Sequence, residues 1–111
     1  MKKSSLISLL PQILLNHKEW FESKGNRGIF ADLSEEYLRE GNFQNAVLVE
    51  ANFQGADLRG AYFENADLRG ANLQDVQLNG AHLKNANFEE TDLMWANLEN
   101  ADLHNTRLDG A

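Results

Sequence analysis

Residues 46–75 read AVLVE ANFQG ADLRG AYFEN ADLRG ANLQD, which is one five-residue pattern written six times. In each copy a small Ala is followed two positions later by Leu or Phe. The large apolar residue recurs at every fifth position, and the pattern extends beyond this stretch in both directions. We predict that the following residues form the structural core: Leu33, Leu38, Phe43, Leu48, Phe53, Leu58, Phe63, Leu68, Leu73, Leu78, Leu83, Phe88, Leu93, Leu98, Leu103 and Leu108.

A period of five fits neither of the common regular elements. A surface helix places apolar residues about 3.6 positions apart, and a half-buried strand places them at every second position. A chain that turns a corner in each repeat accounts for the pattern, because its Ala and Leu/Phe side chains then point inward together. Such units bury their apolar side only against neighbouring copies, so we expect a stacked solenoid.

The motif Ala-(Asp/Asn)-(Leu/Phe)-x-x resembles the pentapeptide-repeat family, and the resemblance covers residues 31–111. It implies an all-β solenoid, a right-handed, four-sided β-helix with one repeat on each side and about four coils of about twenty residues. Stacking residues at this period aligns the predicted core into four columns. It also aligns a column of amides that can hydrogen-bond along the axis. This predicted asparagine ladder is Asn45, Asn65, Asn85 and Asn105.

Residues 1–30 lack the repeat and predict a helical cap on the β-helix of residues 31–111, all within one structural domain. We expect a helix from about Pro11 to Ser23, with a shorter helical turn over Ser4–Leu10. An amphipathic helix needs a cover for its apolar face, and the first coil needs a cover for its unpaired backbone. The residues predicted to form the cap are Ile13, Leu14, Trp20 and Phe21.

Two features near the N-terminus have more than one interpretation. The helix could be an amphipathic membrane anchor with Lys2, Lys3 and Lys18 at the lipid surface. The cap is favoured because aromatic residues lie directly before the repeats, and no apolar run reaches the roughly 20 residues of a membrane span. The segment 34–41 could be a helical turn, because Glu36 stands where Ala belongs; an irregular first coil is favoured.

The charge of the chain is divided unevenly. The 111 residues carry a formal net charge of −7 and contain no Cys. Five Lys/Arg and two Glu give residues 1–30 a net charge of +3, which leaves −10 on the repeats. An acidic solenoid offers no cations to a phosphate backbone, so direct binding of nucleic acid is not expected. The lack of Cys excludes disulfides and is compatible with the bacterial cytoplasm, where we expect the protein to act.

Nothing in the sequence indicates catalysis. It contains no P-loop, no G-x-G-x-x-G, no G-x-S-x-G and no H-E-x-x-H. Its carboxylates are spread over the outward positions of a convex rod, where no pocket raises a pKa. His17 falls on the apolar face of the predicted helix, and His82 and His104, on one face of adjacent coils, are expected to be solvated surface residues rather than metal ligands. We therefore predict no enzymatic activity, no cofactor and no metal site.

Two departures from the repeat indicate contacts with other molecules. Met94 and Trp95 occupy adjacent outward positions where other repeats carry polar pairs or Gly, and Trp is a typical interface anchor. This pair is the candidate partner contact. Val47 and Val49 are expected to pack beneath the N-terminal segment. At the other end, Ala111 follows the last repeat without a cap, which predicts either end-to-end self-association through the last coil or continuation of the repeats.

The sequence favours a non-enzymatic scaffold that presents an acidic surface to a protein partner, whose identity it does not reveal. The alternative is a DNA-mimic inhibitor of a type II topoisomerase such as gyrase, a role that some proteins of the resembled family have. The acidic column favours the alternative, whereas the length does not, because four coils about 4.8 Å apart span only about 20 Å. A supercoiling assay with purified gyrase distinguishes the two hypotheses.

Overall fold

The computed structural model describes residues 5–111. Within this range the chain forms one α-helix, α1 (Ser5–Glu22), followed by a β-helix. Parallel bridges hold the β-helix together, and each joins residues twenty positions apart, from Asp32–Asn52 to Asn87–Arg107. Each strand is a single bridging residue, one at every fifth position over residues 32–107. The bridges therefore have the period of twenty that the sequence predicts.

Coils and sides are numbered from this period. Coil 1 is residues 31–50, coil 2 is 51–70, coil 3 is 71–90 and coil 4 is 91–110. Each coil has four sides of five residues. Side 1 begins with the first residue of each coil, and sides 2, 3 and 4 begin five, ten and fifteen residues later. Within a side, the first and third positions point inward and the other three point outward.

A left-handed backbone at the fifth position of each side makes the corner. All sixteen of these residues, from Glu35 to Gly110, have φ between 58° and 75°. The corner is closed by a backbone hydrogen bond, such as that from the Ala56 N–H to the Phe53 carbonyl at 2.9 Å. A second-position Asn or Asp reinforces it: the Asn52 Oδ1 accepts from the Gln54 N–H at 3.0 Å. This turn chemistry explains why Gly, Asn and Asp recur in the repeat.

The core is a continuous apolar column inside the β-helix. Every predicted core residue of coils 1 to 3 is buried, together with most first-position Ala residues. Phe43 and Phe63, which are twenty positions apart, stack with their ring centroids 4.6 Å from each other. Phe53 meets both rings edge-on from another side, at 5.7 and 6.0 Å. Burial of this apolar surface is the main stabilising contribution to the fold.

The predicted core is wrong at its C-terminal end. Leu93 and Leu98 are only partly buried, whereas Leu103 and Leu108 are 40% and 37% exposed. The cause is positional: in the described chain nothing stacks beyond coil 4, so the ends of the four columns face solvent. These leucines follow the repeat but gain little of the burial that the repeat gives to the other coils.

Coil 1 is more regular than the sequence suggests. Residues 34–41 form neither a helical turn nor an irregular segment, because the bridge Tyr37–Asp57 and the two corners around it follow the common pattern. Glu36 fits at a first position because it is only partly buried at the open edge of coil 1. Gly41 takes the place of Ala where a methyl group would crowd Phe43 and Leu10.

The predicted start of the helix is also wrong. α1 begins at Ser5 and continues through Pro11, instead of beginning at Pro11 after a separate turn; Ser4, where that turn was expected to begin, lies outside the described residues. The missing N–H of Pro11 removes one hydrogen bond, but Leu10 becomes buried against the core and Leu6 and Ile7 pack beside it. The tertiary contacts of the first two turns thus outweigh the local signal. Within residues 5–111, α1 does not have the length and hydropathy of a membrane span.

The asparagine column exists, but its role differs from the prediction. Asn45, Asn65, Asn85 and Asn105 are fifth-position corner residues of side 3 with φ between 58° and 64°. They are joined to the next coil through the backbone, as in the bond from the Asn45 N–H to the Glu64 carbonyl at 2.9 Å. In residues 5–111 no hydrogen bond links their side chains. The column therefore reflects the tolerance of Asn for a left-handed backbone.

Candidate interaction surfaces

Trp95 is the most exposed large apolar side chain among the residues described. Its exposed fraction is 76%, and that of the neighbouring Met94 is 56%. Both lie on side 1 of coil 4, at the fourth and fifth positions. The corner that presents them is fixed by the Asp92 Oδ1, which accepts a hydrogen bond from the Met94 N–H at 3.1 Å. The candidate partner contact, Met94 and Trp95, thus lies on a hydrogen-bonded corner of side 1 in the last coil described.

Trp95 also occupies a backbone conformation that does not suit it. Its φ is 65°, and a bulky side chain in the left-handed region is an outlier. The other fifth positions of the repeats carry Gly, Asn, Asp or Glu. Because the indole is largely exposed, packing within the chain offsets little of this cost. A strained and exposed aromatic residue is an observation that supports a role in binding.

Side 1 differs from the other sides in its charge. Its outward positions contain four exposed carboxylates and no Lys or Arg: Asp32, Glu35, Asp75 and Asp92. Asp32 and Asp92 accept hydrogen bonds from amides of the neighbouring coil, Asn52 at 3.2 Å and Gln74 at 2.6 Å. Amides orient these carboxylates but do not neutralise them. Side 1 therefore combines an uncompensated acidic strip with the Met94–Trp95 pair at its end.

On side 2 one carboxylate, that of Asp57, is compensated by cations of the same side. Asp57 is buried and accepts three side-chain hydrogen bonds, two from Arg59 and one from the Nε of Arg39, each at 2.8 Å. The hydrogen bonds from Arg59, aided by the one from Arg39, hold the pKa of Asp57 well below its usual range. Because Arg39 and Arg59 stack in one column, the carboxylate between them also separates two like charges. This cluster is a structural ion network.

Side 4 has ion pairs of its own. The Nη2 of Arg69 lies 2.6 Å from the Asp67 carboxylate, and that of Arg107 lies 2.8 Å from Glu89. These pairs are largely solvent-exposed, so each contributes little to stability. They do reduce the negative potential of the side that carries them.

The three histidines have three different environments. His82 stacks on Tyr62 of the preceding coil, with ring centroids 4.5 Å apart and planes 4° from parallel. His104 is exposed on the same side of coil 4, but the bridge partner of His82 there is Asp102. His17, which the sequence places on the apolar face of α1, is fully buried between α1 and coil 1. No group of three or more metal-ligating side chains occurs in residues 5–111.

The sequence matches the family model for pentapeptide repeats in eight copies, over residues 29–65, 37–75, 47–85 and 77–111. The chain belongs to the pentapeptide-repeat family. Membership implies a right-handed β-helix, in agreement with the parallel bridges described above. A search of curated proteins gives no significant match.

Solved pentapeptide-repeat structures resemble the chain to different degrees. A pentapeptide-repeat protein from the thylakoid lumen of Arabidopsis thaliana is 42% identical, with a TM-score of 0.70 over 72% of this chain and 56% of that protein. The chain thus spans little more than half the length of this relative. A protein from Nostoc is 26% identical (TM-score 0.43, 79% and 73% covered). HetL, a Nostoc protein involved in the regulation of heterocyst differentiation, is 27% identical (TM-score 0.38, 69% and 42% covered).

The residues predicted to form the cap of this pentapeptide-repeat protein are not the most buried residues of α1. Ile13, Leu14, Trp20 and Phe21 are all partly buried, whereas Leu10 and His17 on α1 are buried. Val49 is buried, as expected, and its carbonyl oxygen lies 2.7 Å from the Nε2 of His17. A histidine on the apolar face of a predicted helix was the available signal for this contact. Its two partners could not be foreseen, because both are backbone groups of coil 1.

Proposed function

We propose that this pentapeptide-repeat protein is a non-enzymatic scaffold, and that side 1 is the surface to which a protein partner binds. The observation that carries the proposal is Trp95, a largely exposed indole on a corner whose backbone disfavours it. A residue that costs stability and is not repaid by packing within the chain is best explained by a contact outside it. In this proposal α1 is a cap that closes the other end of the solenoid.

The charge of side 1 supports a partner with a basic surface. The four carboxylates of side 1 have no cation on their own side, whereas sides 2 and 4 contain Arg residues paired with carboxylates. A partner that places Lys or Arg along the strip and an apolar pocket over Trp95 would complement both features. Long-range attraction then raises the association rate, and the buried indole slows dissociation.

The test uses a substitution that removes the indole and suits the fold. Gly and Asn are the most frequent residues at fifth positions, and Gly has no Cβ to strain a left-handed backbone. Trp95→Gly is therefore expected to leave stability unchanged or raise it by up to about 1 kcal/mol. Asn100→Gly is the matched control, because Asn100 is an exposed corner residue of the same coil with φ of 63° on side 2. Both variants and the unmodified chain serve as bait in parallel captures from a lysate of the native organism.

We expect a protein that the unmodified chain and Asn100→Gly retain and that Trp95→Gly does not. The affinity of this protein, once purified, should fall at least tenfold with Trp95→Gly, as for an interface hot spot. It should also fall as salt is raised, because the surface of side 1 is charged. Retention of the same proteins by all three baits would contradict the proposal for side 1.

A further inference from the structure

His17 connects α1 to the first coil through both of its ring nitrogens. The Nδ1 accepts a hydrogen bond from the Ala31 N–H at 2.9 Å, and the Nε2 lies 2.7 Å from the Val49 carbonyl oxygen. A carbonyl only accepts, so the Nε2 carries the proton and donates it. The Nδ1, facing an N–H, must be unprotonated. These two bonds determine the tautomer of the neutral ring.

The imidazole replaces two backbone groups that the other coils supply. Twenty residues further on, the equivalent groups are the Ala51 N–H and the Arg69 carbonyl. The Ala51 N–H donates to the Leu48 carbonyl at 3.0 Å, and the Arg69 carbonyl accepts from the Glu50 N–H at 2.9 Å. At the first edge of the described β-helix no coil provides these partners. One histidine of α1 therefore satisfies a donor and an acceptor that would otherwise be buried without a partner.

The surroundings of His17 favour the neutral ring. The ring is fully buried and packs against Trp20 and Phe30, with centroids 5.1 and 5.4 Å away. Burial lowers the pKa of His17 below its ordinary value of 6.5, and the Val49 carbonyl and the Glu50 carboxylate oppose this lowering only in part. A protonated ring would also direct its Nδ1–H at the N–H of Ala31. Two donors cannot bond to each other, so the charged ring loses one of its two contacts.

The charged groups around this site lie on three elements. Glu50 of coil 1 is the carboxylate whose charge acts on His17. On α1, Lys18 and Glu19 follow His17 in sequence and are exposed. In the connection after α1, Arg27 is exposed and lies 3.8 Å from Glu19, where the two charges offset each other. Of these groups, the Glu50 carboxylate favours the protonated ring, but it cannot supply the acceptor that Ala31 requires.

We propose that protonation of His17 in acid releases α1 from coil 1, because the charged ring cannot accept the hydrogen bond from the Ala31 N–H, so that α1 is a pH-sensitive cover on the first edge of the solenoid. Release leaves the Val49 carbonyl and the Ala31 N–H free and removes Leu10 from the core. The uncovered edge of coil 1 can then accept a strand from another molecule. This pH-sensitive cover is separate from the proposed binding surface on side 1 and does not depend on it.

The direction of the pH effect follows from linkage. Below pH 6.5 the released state binds more protons than the docked state, because only the docked state disfavours the charged ring. Docking is therefore strongest above pH 6.5. As pH falls below this value, the equilibrium constant for opening rises by up to about tenfold per pH unit.

Amide hydrogen exchange between pH 7.5 and 5.0, corrected for the intrinsic pH dependence of exchange, measures this opening. We expect the opening of α1 to be constant above pH 6.5 and to rise below it, while amides of coils 2 and 3 stay protected. Trp20 gives a second signal, because its ring stacks on His17. Its fluorescence should be quenched or shifted over the same pH range in a Trp95→Phe background, where Trp20 is the remaining Trp of the chain.

His17→Gln should abolish the pH dependence of α1 opening, and His104→Gln, which changes an exposed histidine, should retain it. An α1 that opens equally at all pH values in the unmodified chain would overturn the proposal, as would a His17→Gln variant with the original slope. If α1 is released from coil 1 at every pH in His17→Gln, that variant cannot test the proposal. Nitrogen NMR of the His17 ring in the unmodified chain then tests it. We expect the ring of His17 to be the Nε2-protonated tautomer at pH 7.5 and to become protonated over the pH range in which α1 opens. Protonation of His17 without opening of α1 would refute the proposal.

Discussion

At the scale of single residues, a left-handed backbone has a cost that depends on what lies beyond the Cβ position. Gly28 joins α1 to coil 1 with φ of 80°, and a methyl group there would collide with the Asn16 carbonyl oxygen and the Trp20 backbone nitrogen of α1. Gly80, at a corner of side 2, has φ of 70° and nothing within 4 Å of its Cβ position. The two glycines share a conformation but not an environment.

Gly28→Ala is expected to destabilise the protein by about 3 kcal/mol, because steric displacement of α1 adds to the backbone cost. Gly80→Ala, the matched control, should cost only about 1 kcal/mol. Urea unfolding of both variants measures the difference. Equal losses would show that α1 does not rest on the connection as described.

Asp57→Asn tests the ion network of side 2. The substitution leaves Arg39 and Arg59 stacked without a carboxylate, and it should cost about 1 to 2 kcal/mol at pH 7. Because the arginines lower the pKa of Asp57, its contribution is complete above the ordinary value of 3.8 and declines as pH falls below it. The difference in stability between the variant and the unmodified chain should therefore shrink in acid. A difference that is constant from pH 7 to pH 2 would contradict this account.

At the scale of elements, periodicity was enough to predict the β-helix but not the contacts of α1. Residues of one column have equivalent surroundings, so the burial of both Leu58 and Leu78 can be predicted from the period of the sequence alone. α1 docks only once, and its start at Ser5 depends on Leu10 reaching the core of a coil about thirty residues away. The sequence was enough to identify Trp95 as an outward residue. Its left-handed backbone conformation became apparent only from the structure, which places it at a corner.

Leu78→Asp is expected to abolish cooperative unfolding. Leu78 is fully buried on side 2 of coil 3, with coils above and below it, so a carboxylate there cannot reach water. The loss should be about 4 kcal/mol or more. Gln77→Asp, an exposed neighbour with the same change in charge, should change stability by less than about 0.5 kcal/mol. Circular dichroism during heating compares the two variants. A cooperative transition in Leu78→Asp at a temperature near that of the control would show that Leu78 does not lie in a water-free core.

At the scale of the whole molecule, the two ends of the solenoid differ. α1 covers coil 1, whereas coil 4 presents Leu103, Leu108 and a row of backbone N–H groups on its edge away from coil 3. In the interior coils the equivalent N–H groups are paired, as in the bond from the Leu83 N–H to the Asp102 carbonyl at 2.9 Å. Within the described residues, those of Leu93, Leu98 and Leu103 have no partner. Such an edge recruits other edges.

We therefore predict that residues 1–111, as an isolated polypeptide, self-associate end to end through coil 4; in a longer chain, further repeats after Ala111 would cover the same edge. Light scattering should give a mass that rises with concentration toward that of a dimer, because apolar column ends and edge groups are buried together. A polar capping helix added after Ala111 should keep the protein monomeric. A monomer at high concentration whose coil 4 amides are nevertheless protected from exchange would contradict the prediction.

The spacing of the corners also limits which changes in length the fold can accept. An insertion of five residues before residue 91 adds one side, so every later residue keeps its inward or outward position but moves a quarter turn around the axis. Trp95 would then leave the acidic strip for the neighbouring side. An insertion of twenty residues would keep its side and move it along the axis by one coil, about 4.8 Å. Insertions of other lengths place polar residues in the core, so duplication can rearrange this surface only in whole repeats.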